Sequence, residues 1–165
     1  MASRPPLVAV CGASVATDLQ LRDAAEVGRA LVERGCVVLC GGHGGVMDSV
    51  ATAVQAAGGT CVGLLPGDDP DAAAPGVTVA LPTGMGEMRN ALLVRCAAGV
   101  IAIGGGYGTL SEIGFALRLG RPVAALHTWS LHPPSGEDIP GDRLHVGSSA
   151  EDAVGWLLGQ IAAQR

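Results

Sequence analysis

Gly99-Val100-Ile101-Ala102-Ile103-Gly104-Gly105-Gly106-Tyr107-Gly108-Thr109-Leu110-Ser111-Glu112 is the stretch that decides the fold. An apolar, partly β-branched run passes into a cluster of glycines and then into a helix-forming segment over Thr109–Leu119. A strand, a tight glycine turn and a helix in that order make one half of a βαβ unit. The same succession occurs twice more. Leu7–Val10 leads into Cys11-Gly12-Ala13-Ser14, and Cys36–Cys40 leads into Gly41-Gly42-His43-Gly44-Gly45. Further strands are predicted over Thr60–Leu65, Val77–Leu81 and Pro122–Leu126. Helices are predicted over Leu19–Arg34, Val46–Ala57, Met85–Ala97 and Ser149–Ala163. In Leu19–Arg34, Leu21, Ala25, Gly28, Leu31 and Val32 share one face, with Arg22, Asp23, Glu26, Arg29 and Glu33 opposite. Strands that are apolar throughout and alternate with amphipathic helices predict an α/β, Rossmann-like, doubly wound parallel sheet with helices on both faces.

The 165 residues suit a single domain, 1–165. Two segments read as loops, Pro66–Pro75 and Trp129–Asp142, and the length of the second suggests a lid or an interface arm. Composition narrows the function. Hydrophobic residues make up 48% and charged residues 15%, which excludes a disordered chain. All ten basic residues are arginine, so Schiff-base chemistry, a pyridoxal-phosphate lysine and a lysine-bearing P-loop are excluded. A formal charge of −5 argues against nucleic acid or an acidic membrane as partner. No apolar run reaches the about 18 residues of a membrane span. The longest candidate, Ala91–Ile103, is interrupted by Arg95. Leu7–Val10 reads as a first strand rather than a signal peptide, and the chain is expected to be cytoplasmic. Five cysteines, an odd number, fit a reducing compartment. Cys36 and Cys40 would lie about 13 Å apart on a strand, too far to share a metal ion, and read as small buried hydrophobes. His127, His132 and His145 have no metal-ligand spacing, so no metal site is predicted.

Glycine turns that feed helix N-termini let backbone N–H groups converge on an anion, and three of them on one sheet edge point to phosphate. Neither G-x-G-x-x-G at a βα turn nor a Walker A motif is present, so a mononucleotide or similar small phosphate ester is expected rather than a dinucleotide. Glu112 follows the third turn and admits two roles. Thr109-Leu110-Ser111-Glu112 has the form of a capping box, as does Ser148-Ser149-Ala150-Glu151. Alternatively, the carboxylate faces a sugar and stabilises an oxocarbenium-like centre. Arg89, at the start of its helix, is unfavourably placed against the helix dipole unless an anionic ligand or Glu112 answers it. His43 could touch a ligand, and Asp48 reads as a helix-terminus charge.

Gly104–Glu112 resembles the PGGxGTxxE signature of the Lonely Guy (LOG) family, Rossmann-like phosphoribohydrolases that release the base from cytokinin nucleoside 5′-monophosphates. Cys11-Gly12-Ala13-Ser14 is similar to that family's CGSS, and Gly41-Gly42 with Gly45 and Met47 to its second turn. The resemblance spans roughly residues 7 to 126 and places the family's active-site arginine and glutamate on Arg89 and Glu112, 23 positions apart. Together with the glycine turns, it marks Gly12, Ser14, Gly41, Gly42, Asn90, Gly105, Gly106, Tyr107, Gly108 and Thr109 as candidate phosphate and nucleotide contacts. It implies hydrolysis of an N-glycosidic bond by water, without metal or cofactor, in a homodimer.

Three positions depart from the family pattern. Gly104 stands for its proline, Ser111 for the first of two acidic residues, and Asn90 for the lysine after the arginine. Arg89-Asn90 with GGGxGTLSE is more similar to a sister branch that includes the molybdenum-cofactor carrier proteins, which bind a phosphorylated pterin without known turnover. A carrier of such a ligand, or a nucleotide sensor, is therefore the alternative to a hydrolase. Some relatives are labelled lysine decarboxylases, a chemistry that the absence of lysine rules out for a pyridoxal-phosphate mechanism.

Overall fold

The computed structural model describes residues 4–164; residues 1–3 and 165, the ends of the expected domain, lie outside the described residues. Twelve elements follow one another: β1 (Leu7–Gly12), α1 (Asp18–Glu33), β2 (Val37–Cys40), α2 (Val46–Ala56), β3 (Cys61–Leu65), β4 (Val79–Pro82), α3 (Arg89–Cys96), β5 (Gly99–Ile103), α4 (Tyr107–Arg118), β6 (Val123–Leu126), β7 (Leu144–Val146) and α5 (Ala150–Ala163). The strands form one seven-stranded sheet in the order β4-β3-β2-β1-β5-β6-β7. Every neighbouring pair is parallel. The chain winds outward from β1 to one edge and then from β5 to the other, which makes the β1/β5 boundary the topological switch point.

Period-two alternation distributes each strand between two cores. Val8, Val10, Ile101 and Ile103 pack with α1, α2 and α5, while Ala9, Cys11, Val100 and Ala102 pack with α3 and α4. Helices therefore cover both faces, as expected of strands with no polar side. The alternation also sends Cys11, near the end of β1, towards α4.

Several elements differ from the sequence reading, β1 among them, which runs on to Gly12 rather than ending at Val10. The helix expected over Met85–Ala97 is divided into a 3-10 turn, Gly86–Met88, and α3. Gly84 and Gly86 have φ of 62° and 56°, so no continuous helix can begin before them. Strand β4 begins two residues later than Val77. Helix α4 begins at Tyr107 rather than Thr109, because extended Gly106 (φ −101°, ψ −150°) already serves as its N-cap. Strand β7 was not predicted at all; its three residues include a histidine and carry little strand signal. The Pro66–Pro75 loop contains one 3-10 turn, Pro70–Ala72.

Candidate functional site

The turns after β1, β2 and β5 meet above the switch point, around a cavity of about 530 Å³. That volume lies within the roughly 300–1,000 Å³ of small-molecule sites. Gly12, Ser14, Gly41, Arg89, Asn90, Gly106, Tyr107, Gly108, Thr109 and Glu112 all line it, so ten of the twelve predicted site residues come together. Gly42 and Gly105 do not. The open side of Gly42 is closed by Leu65, and its carbonyl accepts from Ala74 N–H at 2.8 Å. Gly105 lies on the far side of its turn, in a second cavity of about 320 Å³ with Gln20, Gly104, His127, Thr128 and Trp129. Cys11, Pro66 and Glu87 complete the main lining, together with His43 and Met47. Cys11 was legible as part of the first turn's motif, whereas nothing in the local sequence ties Pro66 or Glu87 to the site.

Helix ends set the electrostatics. Away from the cavity, Thr17 and Gln20 close a full capping box on α1, and Ser149 Oγ caps α5 by accepting from Asp152 N–H. Helices α2 and α4, which start at the cavity, have glycine N-caps (Gly45 and Gly106) with no side-chain cap. The Val46 N–H at the start of α2 donates to the Ala13 carbonyl at 2.9 Å, while the N–H groups that follow it and those at the start of α4 have no side-chain cap, and the positive ends of both helices face the same space. The capping box expected at Thr109–Glu112 is thus absent, since the helix has already begun two residues earlier. That expected at Ser148–Glu151 shifts by one: Ser149 is the cap, and Asp152 Oδ2 accepts from Ser148 N–H and Oγ–H at 2.8 and 3.1 Å. Glu151 pairs instead with Arg34.

Freed from capping, Glu112 lies on the cavity floor, 6% exposed. Arg89, whose side chain is 11% exposed, places Nη1 3.7 Å from its Oε1. Burial lifts the Glu112 carboxyl to about 7, while a hydrogen bond from the Cys11 thiol and the Arg89 charge act in the opposite direction. Burial first, and then the Glu112 charge, raise the Cys11 thiol well above its usual range, so it remains a protonated donor. Arg89 Nη1 also donates to Asn90 Oδ1 at 2.8 Å, Asn90 Nδ2 donates to Ser111 Oγ at 3.2 Å, and Ser111 Oγ donates to the Gly108 carbonyl at 2.6 Å. Two departures from the LOG pattern, Asn90 and Ser111, are therefore in contact, a neutral pair where that pattern has a lysine and an acid. Arg89 Nε is buried with no hydrogen-bond partner among the described residues. Gly41 makes room for this arginine, because a Cβ there would stand 2.7 Å from Arg89 Nη1 and from Met47 Sδ.

Elsewhere, Asp48 lies in the first turn of α2 and accepts from Thr52 at 3.4 Å. His127 Nε2 lies 3.3 Å from Asp23, and His145 Nε2 lies 3.0 Å from Asp152. Among the described residues, no three His, Cys, Asp or Glu side chains gather so as to hold a metal ion. No disulfide joins any of the five cysteines, four of which are buried. No described helix is long and apolar enough to cross a membrane.

A doubly wound sheet with a cleft and a buried carboxyl at its switch point defines a Rossmann-like α/β protein. The chain belongs to the SLOG cluster4 family, whose pattern matches residues 5–154. An uncharacterised protein of Archaeoglobus fulgidus is 34% identical over 92% of this chain and 93% of its own. The cytokinin riboside 5′-monophosphate phosphoribohydrolase LOG of rice, Oryza sativa subsp. japonica, is 38% identical over 62% of this chain. The aligned segment spans 44% of that rice protein. The molybdenum cofactor binding protein of Rippkaea orientalis superposes with a TM-score of 0.87 at 30% identity, over 97% of this chain and 99% of its own. The Moco carrier protein of Chlamydomonas reinhardtii gives 0.83 at 30%, over 98% and 100%.

Proposed function

We propose that this chain binds a nucleoside 5′-monophosphate at the β1/β5 switch point and hydrolyses its N-glycosidic bond. The observation that carries this reading is the buried Glu112 carboxyl, 3.7 Å from Arg89, on the floor of a cavity entered by two uncapped helix N-termini. The 5′-phosphate sits against the N–H groups at the starts of α2 and α4, with Ser14 and Thr109 at hand. Glu112 faces the ribose. Its carboxylate stabilises positive charge developing at C1′ and takes a proton from the attacking water. The water oxygen bonds to C1′, the C1′–N bond breaks with its electron pair going to the base, and Glu112 returns the proton to the departing base. Ribose 5-phosphate and free base result, with Glu112 regenerated. A carboxyl lifted to about 7 can both accept and donate that proton near neutral pH. Arg89, steadied by Asn90, positions Glu112.

Chromatographic detection of free base from a panel including AMP and a cytokinin monophosphate tests this, with Glu112→Gln as control. Release by the wild type alone supports hydrolysis. A second reading, a non-catalytic carrier of molybdenum cofactor or another phosphorylated ligand, is supported by the end-to-end similarity to the two cofactor-binding proteins and by Asn90 and Gly104. No release with binding retained, and co-purified pterin fluorescing after oxidation, would favour it. We also propose a cytoplasmic homodimer. Met88, Phe115 and Leu119, exposed apolar residues around α3 and α4, are the surface for the second copy, and sedimentation gives the oligomeric state.

A further inference from the structure

Two of the chain's four aromatic residues meet at one edge of the cavity. Tyr107 opens α4, is 82% exposed and lines the same space as Arg89 and Glu112. Its ring centroid lies 5.7 Å from that of Trp129, with the planes tilted by 36°. This is the separation of an ordinary aromatic contact, about 4.5–7 Å. A tyrosine so open contributes little to the core, yet its position is backed on one side.

Trp129 is itself fixed to the glycine turn. Its indole N–H donates to the Gly106 carbonyl at 3.1 Å, the Thr128 hydroxyl donates to the Gly104 carbonyl, and Gly104 N–H donates to the Leu126 carbonyl at 2.9 Å. The chain leaving β6 thus grips both ends of the Gly104–Gly106 turn and sets a tryptophan behind the tyrosine. The result is a cavity with a charged floor, open N–H groups at two helix starts, and one aromatic wall.

We infer that the Tyr107 ring, backed by Trp129, is the stacking platform for a planar heteroaromatic ring carried by the phosphorylated ligand. The inference rests on the phosphate site proposed above and assigns the side chain that holds the flat nitrogen heterocycle, which a bare sugar phosphate lacks. Every nucleobase or pterin has a π-face, so such a wall selects for the presence of a ring more than for its identity.

Isothermal titration tests this with three probes: carbocyclic AMP, whose base is not held by a glycosidic bond, 6-hydroxymethylpterin monophosphate, and ribose 5-phosphate. At least one ring-bearing probe is expected to bind about tenfold or more tightly than ribose 5-phosphate. Tyr107→Ala should remove about tenfold of that ring-dependent affinity and leave ribose 5-phosphate unchanged, and Tyr107→Phe should retain the preference. In a Trp156→Phe background Trp129 is the only tryptophan, and its fluorescence should respond to the ring-bearing probe and not to ribose 5-phosphate. Equal affinity for all three probes, or equal weakening of all by Tyr107→Ala, overturns the stacking inference while leaving the phosphate site standing. Failure of all three to bind overturns both.

Discussion

At Glu112, burial and two neighbours act against each other, and pH decides the balance. The carboxyl is lifted from its ordinary 4.5 to about 7 by burial, so the native state holds its proton more tightly than the unfolded chain does. Stability is therefore fully present below the unfolded value and is lost as pH rises through about 7, by at most about 3 kcal/mol. Glu112→Gln carries no such penalty. Its melting temperature should match the wild type near pH 4.5 and exceed it at pH 8, in thermal unfolding followed at both pH values, while base release falls by about a hundredfold or more. Asn90 and Ser111 can be tested as a pair. Asn90→Lys removes the acceptor for Arg89 and puts a second cation beside it in a site where Asn90 is 8% exposed. It should cost about 1–3 kcal/mol. Adding Ser111→Glu should recover part of that cost, giving a coupling of about 0.5–3 kcal/mol in a denaturation cycle. Both residues were visible in the sequence as departures from a pattern. Their contact was not, because 21 positions separate them and only the packing of α3 on α4 joins them.

Helix starts show why a local pattern was a poor guide to one element and a good guide to another. Thr17-x-x-Gln20, Thr109-x-x-Glu112 and Ser148-x-x-Glu151 have the same form, yet only the first closes as a box. At Thr109 a glycine three residues upstream, Gly106, had already supplied the extended N-cap, a choice made by the turn and not by the four-residue motif. Gly106 provides a test at this scale. Its φ of −101° suits any residue, and a Cβ there meets nothing within 4 Å. Gly106→Asp should cap α4 and stabilise the fold by a few tenths to about 1 kcal/mol. The same carboxylate should abolish phosphate-ligand binding by occupying the helix end. A higher melting temperature combined with lost binding would separate the two roles; retained binding would move the phosphate elsewhere. Strand β7 was illegible for a different reason: what holds it is a side-chain clasp and not its own propensity. His145 stacks on Trp156, with centroids 5.1 Å apart, and reaches Asp152, which also binds the Ser148 backbone. Asp152→Asn should raise amide exchange over 144–146 and leave β1 and β5 protected.

Across the whole molecule, the sheet was legible because its evidence is repeated. Six apolar runs alternate with helical segments, and any one of them could be misplaced by two residues without changing the architecture. The assembly of the site was legible only as three glycine turns that a parallel sheet must bring to one edge. The Arg89–Asn90–Ser111 chain, the Cys11 thiol beside Glu112 and the second cavity depend on side-chain directions that no local window contains. The strand order has a further consequence, in the time domain of synthesis. Central β1 pairs with β2 almost at once, but its other partner, β5, begins 87 residues after β1 ends. A growing chain therefore holds its middle strand with one bare edge until Gly99–Ile103 leaves the ribosome, and Glu112, the partner of Arg89, is made later still. Whatever ligand the cleft receives can recognise only chains in which both halves of the sheet have been made, because its lining runs from Cys11 to Glu112.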